Sequence, residues 1–325
     1  MGVRFPHRPR KGNGRSRKRP IKTTKMTLIR KPHEITVPKT LKCLIYGQAG
    51  TGKTTLALSA PSPLLLDFDG GAKRLNAKHA VDTVQITSMA DCDAVLREDL
   101  SAYETIVVDT VGKMIDFIIS DVCKGRLPQL RDWGAINNRF TAFCHELSRL
   151  NKNIIFVAHR DNRKEGDNNV FIPAIREKNY NSIVTELDLM GYLESRDNRR
   201  VITFDFSDRN DGKNTCDLPH MMPVTTLTDN VANDFFTKEI LSKYVAKTQK
   251  AEDVKKQYFA VVQQIKDDLE LVSDAETMTL FAKNMKSFAH VGGSREVART
   301  LAKAKAQELG LVYNATNNSY EQANA

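Results

Sequence analysis

The sequence predicts an α/β fold, a mainly parallel sheet flanked by helices with a small helical region after it. Three observations lead there. From Thr40 to about residue 206, short apolar runs alternate with longer amphipathic stretches, the rhythm of strand–helix units. Several runs, such as KCLIY and TIVVD, are continuous instead of alternating, as in strands covered on both faces. Beyond Thr225–Asn230, Ala, Lys, Glu, Leu and Gln dominate and no comparably clear strand follows.

Taken in order, the strands fall at Lys42–Tyr46, Leu64–Asp67, Thr83–Ile86, Thr105–Asp109, Asn153–Ala158, Leu187–Leu193 and Val201–Phe206. Helical patterns lie between them, at Met89–Leu96, Val111–Val122 and Trp133–Leu150. Only SRDNRR joins the last two strands, so they form a hairpin and give the sheet an antiparallel edge. Farther on, Phe235–Ala246, Ala251–Leu271, Asp274–Ser287 and Ser294–Leu309 read as helices of a small bundle. The closing YNATNNSYEQANA is polar and expected to fray. The expected organisation is a basic disordered tail over 1–35, a nucleotide-binding domain over 36–227 and a helical region over 228–325.

Charge separates the tail from the rest. Of the 49 Lys and Arg residues, twelve lie in residues 1–32, where there is no acid. The net charge of +10 therefore belongs to the tail, and the remainder carries about −2. The tail has too few apolar side chains to fold alone and suits a phosphate-seeking arm, or a solvated extension ahead of a second possible start at Met26. No apolar run approaches the roughly 20 residues that span a bilayer, and no apolar core follows the basic start, so the expected location is cytoplasmic. The five cysteines lack CxxC spacing, which argues against a zinc site or a disulfide framework.

The strand at Lys42–Tyr46 runs into GQAGTGKT. This fits G-x-x-x-x-G-K-[ST] at Gly47, Gly52, Lys53 and Thr54, with Gln48, Ala49, Gly50, Thr51 and Thr55 completing the cradle. Glycines let successive peptide N–H groups face one centre, where a Cβ would intrude. Lys53 is placed to bridge phosphate oxygens, and Thr54 to hold Mg²⁺. A helix over Lys53–Ser59 then presents its positive end to the phosphates. The acid expected at the end of another apolar strand is Asp109, followed by Thr110 as helix N-cap. LLLDFDGG adds Asp67 and Asp69; Asp69, beside the glycine pair, is the better placed to orient an attacking water, and Asp67 reads as structural. His159 ends a further strand, where it can sense the γ-phosphate.

Together, GQAGTGKT, LLLDFDGG, TIVVDT and IIFVAHR resemble the RecA-like P-loop ATPase core. Within it they resemble phage nucleotide-binding proteins, the group that includes RecA-like single-strand annealing proteins. RDWGAINNRF resembles a Trp/Tyr-Gly segment of that group, and the resemblance spans about residues 36–220. It implies ATP and Mg²⁺ as cofactors, with Gly47, Gly52, Lys53 and Thr54 as the phosphate loop and Asp109 organising Mg²⁺. Asp69 takes the place of a catalytic carboxylate, and His159 that of a residue coupling nucleotide state to a DNA-contacting loop. Arg160–Asn169, with Arg160, Arg163 and Lys164, is that loop's counterpart. Such cores complete their site with a cation from a neighbouring subunit, for which Arg176, Lys178, Arg209 and Lys213 are candidates. The implied assembly is a homo-oligomeric ring or filament.

The reading that follows is an ATPase, stimulated by DNA, acting on single-stranded DNA in phage recombination or replication. A switch with little turnover and a replicative helicase-type motor are the alternatives. A small-molecule kinase would carry an arginine-rich lid, and none interrupts the strands.

Overall fold

In the computed structural model the described residues are 34–35, 38–166, 168–197, 199–228 and 230–323 of the 325-residue chain. Two compact units are distinguished, Met1–Ile35 and Thr36–Ala325. The basic tail expected over 1–35 lies almost wholly outside the described residues.

The sheet is built from β1 (Lys42–Gly47), β2 (Pro63–Asp67), β3 (Thr83–Gln85), β4 (Thr105–Asp109), β5 (Asn153–Glu165), β6 (Asn168–Pro173), β7 (Leu189–Arg196), β8 (Arg199–Thr203), β9 (Lys213–Asn214) and β10 (Met221–Pro223). Its order is β10-β8-β7-β1-β5-β4-β2-β3, with β6 paired to β5 and β9 to β7. β7, β1, β5, β4, β2 and β3 run parallel. The helices are α1 (Lys53–Ala57), α2 (Met89–Val95), α3 (Val111–Cys123), α4 (Trp133–Arg149), α5 (Glu177–Glu186), α6 (Ser242–Glu270), α7 (Ala275–Asn284) and α8 (Ser294–Glu308), followed by β11 (Leu311–Asn314) and β12 (Ser319–Gln322). This is the α/β fold that the sequence predicts.

Successive side chains of a strand point to opposite faces, and the continuous apolar runs supply both. Leu44 and Tyr46 of β1 join one core, with Met114, Ile118, Phe140 and Phe143 from α3 and α4. Cys43 and Ile45 join the other, with Leu56 and Ala57 of α1 and Phe235, Phe236, Ile240 and Tyr244. The helical C-terminal part thus begins by packing on the sheet. A third core follows, formed by Ile265, Met278, Phe281, Ala298 and Ala302.

Four differences from the expected elements have physical causes. KTQK holds no Gly or Pro, so Phe235–Ala246 and Ala251–Leu271 are not separate helices: a π-helical stretch, Phe236–Leu241, continues directly into α6. The described part of the closing segment, to residue 323, is not frayed. Gly310, at φ +63°, lets the chain leave α8, and β11 and β12 pair as a hairpin. Tyr320 packs on the third core while its N–H donates to Thr279 Oγ1 at 2.8 Å. The expected hairpin after β7 forms, β7 with β8, but the edge belongs to β10, whose Pro223 suits an edge strand. Finally, β5 runs seven residues past Ala158 to Glu165, where a loop was expected, because it pairs with β6.

All five cysteines are free and buried. Burial pushes the Cys92 and Cys144 thiols up to about 12, and those of Cys43 and Cys216 are raised too. Since the thiolate is the reactive form, a disulfide reagent at pH 8 is expected to label the folded protein slowly and all five thiols at once in denaturant. A thiol of the folded protein titrating within seconds would contradict this packing.

Candidate nucleotide site

The site begins where β1 ends. Gly47 stands in register with His159 on β5 and Leu193 on β7. A Cβ there would lie 2.1 Å from the Leu193 carbonyl oxygen, a contact only glycine avoids. The chain then turns through Gly50 and Gly52, at φ +78° and +88°, into α1. That helix is five residues long, shorter than the expected Lys53–Ser59, so the loop's own N–H groups and Lys53 supply most of the positive field.

The Lys53 side chain is buried, 6% exposed, with Nζ donating to the Gln48 carbonyl at 2.8 Å. Thr51 Oγ1 donates to the same oxygen at 2.9 Å, which holds the loop closed on itself. Burial holds the Lys53 pKa below its ordinary value, against the pull of Asp109 and Asp69. Thr54 Oγ1 donates to Asp109 Oδ2 at 2.6 Å, joining positions 55 residues apart in the chain. Asp109 is 5% exposed; burial raises its pKa, while the Thr54 hydrogen bond and Lys53 oppose the rise. Next to it, Thr110 accepts from the Lys113 N–H at 3.4 Å and caps α3.

Asp67 and Asp69 stand in different surroundings. Asp67 is buried and accepts the N–H groups of Gly71 and Ala72, both at 2.9 Å, fixing the turn after β2. Asp69 pairs with Arg74 at 2.9 Å and lies close enough to act electrostatically on Lys53, Asp109 and His159. His159 ends the parallel part of β5. Burial and then the Lys53 ammonium depress its pKa, which leaves the ring neutral at pH 7.

A glycine-lined loop, a buried ammonium, and a hydroxyl and a carboxylate in contact are the kinds of group that a polyphosphate and a hard cation require. A family model described as an AAA domain matches residues 39–216, more than half of the chain. The chain belongs to the AAA domain family. The match spans nearly all of the sheet and every site residue above, and makes this a P-loop ATPase domain that binds nucleotide. No curated protein matches the chain at a significant level. No helix among the described residues is long and apolar enough to cross a membrane.

The remaining charged residues of the AAA domain are less uniform. Arg176 comes near the site: it lies over the Trp133 ring, 4.5 Å from its centre, and lines a cavity of about 280 Å³ with His159, Thr110 and Lys113. Lys178 is exposed on α5. Arg209 pairs with Glu194 at 2.8 Å, and Lys213 donates to the Val184 carbonyl at 2.9 Å. Arg160, Arg163 and Lys164 stand on the β5–β6 hairpin, not on an open loop. Arg160 lies over Phe171 and donates to Tyr192 Oη at 3.1 Å. Arg163 grips the buried Asp211 through two bonds of 3.0 and 3.2 Å, which braces the middle of the hairpin. Lys164 is exposed.

Sequence reading missed two features. Arg200 on β8 lies against Gly52: a Cβ on that glycine would be 3.0 Å from Nη1. Asp211 gathers Arg163 and Tyr180. Neither has a local signal, because each contact is created by strand register.

Proposed function

We propose that this AAA domain is a Mg²⁺-dependent ATPase of RecA-like type that assembles as a ring or filament and acts on single-stranded DNA in recombination or replication. The single observation that carries the ATPase part is the Thr54–Asp109 contact of 2.6 Å beside the buried Lys53. Gly47 through Thr55 bind the phosphates, with the Lys53 ammonium turning from the Gln48 carbonyl to phosphate oxygens. Thr54 and Asp109 would hold Mg²⁺, which when bound neutralises charge on the phosphoryl oxygens. Asp69, released from Arg74, orients the attacking water and takes up its proton.

The DNA part is supported by continuity. β5 carries His159 beside the phosphate loop and then extends into the β6 hairpin with Arg160, Arg163 and Lys164. A shift of His159 on loss of the γ-phosphate moves the root of that hairpin. Arg176, on the same side as His159, is the best placed of the four cations to act across a subunit boundary.

Measuring ATP turnover with and without single-stranded DNA, in the wild type and in Asp69→Ala, tests this. DNA is expected to raise turnover at least about tenfold. Asp69→Ala is expected to lower turnover about 10²-fold or more with ATP affinity within about threefold. Equal turnover with and without DNA would remove the DNA reading. Binding with no turnover in the wild type would favour a switch, a reading to which the Asp69–Arg74 pair lends support.

A further inference from the structure

A second cavity, of about 270 Å³, adjoins the phosphate loop on the side away from His159, lined by Thr55, His79, Arg200, Thr226 and Leu227. We infer that it receives the nucleoside end of the bound triphosphate, with the base stacked on the Arg200 guanidinium and read by its flat face instead of its hydrogen-bonding edge. The inference rests on the phosphate-loop reading and adds to it the specificity of the site.

Position comes first. Thr55 directly follows the phosphate-loop threonine, and Arg200 touches both places: its guanidinium lies against Gly52 and also walls the cavity. A ligand whose phosphates occupy residues 47–54 can extend past that guanidinium into the cavity. The cavity's volume, just under the roughly 300–1,000 Å³ of small-molecule pockets, suits a ring and a sugar, with the phosphates held outside it.

Construction comes second. The three walls are separate in sequence but tied together. The Val224 N–H donates to the Arg200 carbonyl at 2.8 Å. Lys78 Nζ donates to the Thr228 carbonyl at 3.0 Å, joining the turn that carries His79 to the segment with Thr226 and Leu227. Asn233 Nδ2 donates to the Thr55 carbonyl at 2.9 Å and fixes the floor. The cavity is thus a braced feature of the fold and not an accident of one loose side chain.

Chemistry comes third. Arg200 presents a planar cation, His79 a planar ring, Leu227 an apolar face, and Thr55 and Thr226 hydroxyls. Guanidinium and imidazole planes stack on any aromatic base. Among the described residues the lining holds no carboxylate to accept from the ring N–H and amino group of guanine, the strong device for selecting that base. Stacking is tolerant because every base has a π-face. The site therefore accepts adenine and guanine nucleotides with similar affinity, and its hydroxyls suit the sugar.

The experiment compares binding of ATP, GTP and inorganic tripolyphosphate, each with Mg²⁺, to the full chain and to Arg200→Ala by calorimetry. In the wild type ATP and GTP are expected to bind within about threefold of each other. In Arg200→Ala both nucleotides are expected to weaken roughly tenfold while tripolyphosphate binds as before, which also shows that the variant is folded. An equal loss for tripolyphosphate would make Arg200 a phosphate ligand and overturn the inference, as would unchanged ATP binding or a wild-type preference for one purine above about 100-fold. Lys53→Ala is run beside it. If that variant keeps its tripolyphosphate affinity, the phosphate-loop reading fails, and this outcome is distinct from any given by Arg200→Ala.

Discussion

Lys53→Ala is expected to lower ATP hydrolysis by at least about 10²-fold, the scale on which removing one preorganised charge stabiliser acts. The side chain is buried and its ammonium already lies across the loop on the Gln48 carbonyl. It therefore needs only to turn, with little reorganisation, to meet a phosphate. Alanine removes the charge where the negative charge of the substrate is greatest. Binding should fail along with turnover, and thermal unfolding reports it independently of chemistry. A ligand at 100 times its Kd stabilises by about 2.7 kcal/mol, which for a domain of this size raises Tm by roughly 5–10 °C. The wild type is expected to show that rise with Mg–ATP and Lys53→Ala to show none. A variant that keeps both the rise and the hydrolysis would refute the assignment of the loop.

Asp109→Asn is the second large effect. Asparagine keeps the size of the side chain and can still accept the Thr54 hydroxyl, so the geometry of the contact survives and the charge alone is removed. Burial already works against that charge, and the variant is expected to melt at or above the wild-type temperature without nucleotide. Hydrolysis should nevertheless fall by about 10²–10³-fold, and the gain in ATP affinity that Mg²⁺ gives the wild type should largely disappear. Comparing ATP affinity with and without Mg²⁺ in the two proteins checks this. Full Mg²⁺ dependence in the variant would mean that Asp109 is only a structural acceptor for Thr54.

Much of this arrangement could be read from local patterns. The β1 run, the glycine spacing and the lysine–threonine pair are contiguous, and the physics of a tight loop demands those residue types. Asp109 was legible because a strand buried on both faces ends in a single acid followed by a capping threonine. The structural part of Asp67 was legible because a carboxylate two residues closer to the strand body than Asp69 faces the turn's own N–H groups.

What stayed hidden depends on pairing between distant segments. The extension of β5 past His159 exists only because β6 returns beside it, and RDNRKE alone has the composition of a loop. Arg200 meets Gly52 because β8 lies beside β7, whose Leu193 in turn abuts Gly47; one arginine among several in SRDNRR carries no mark of that. The last hairpin was concealed by polar composition, although Tyr313 and Tyr320, with ring centres 5.2 Å apart, keep the alternation of a strand pair. In α6 the lysine-rich KTQK gave an impression of a break where nothing interrupts the backbone hydrogen bonds.

Crystals grown with Mn²⁺ and a non-hydrolysable ATP analogue test the convergence of the loop and Asp109 most directly, because manganese replaces magnesium and is located by its anomalous scattering. The expected result is one manganese peak beside Thr54 Oγ1 and the Asp109 carboxylate, with the triphosphate wrapped by residues 47–54. Manganese held elsewhere, or a nucleotide bound away from that loop, would contradict it.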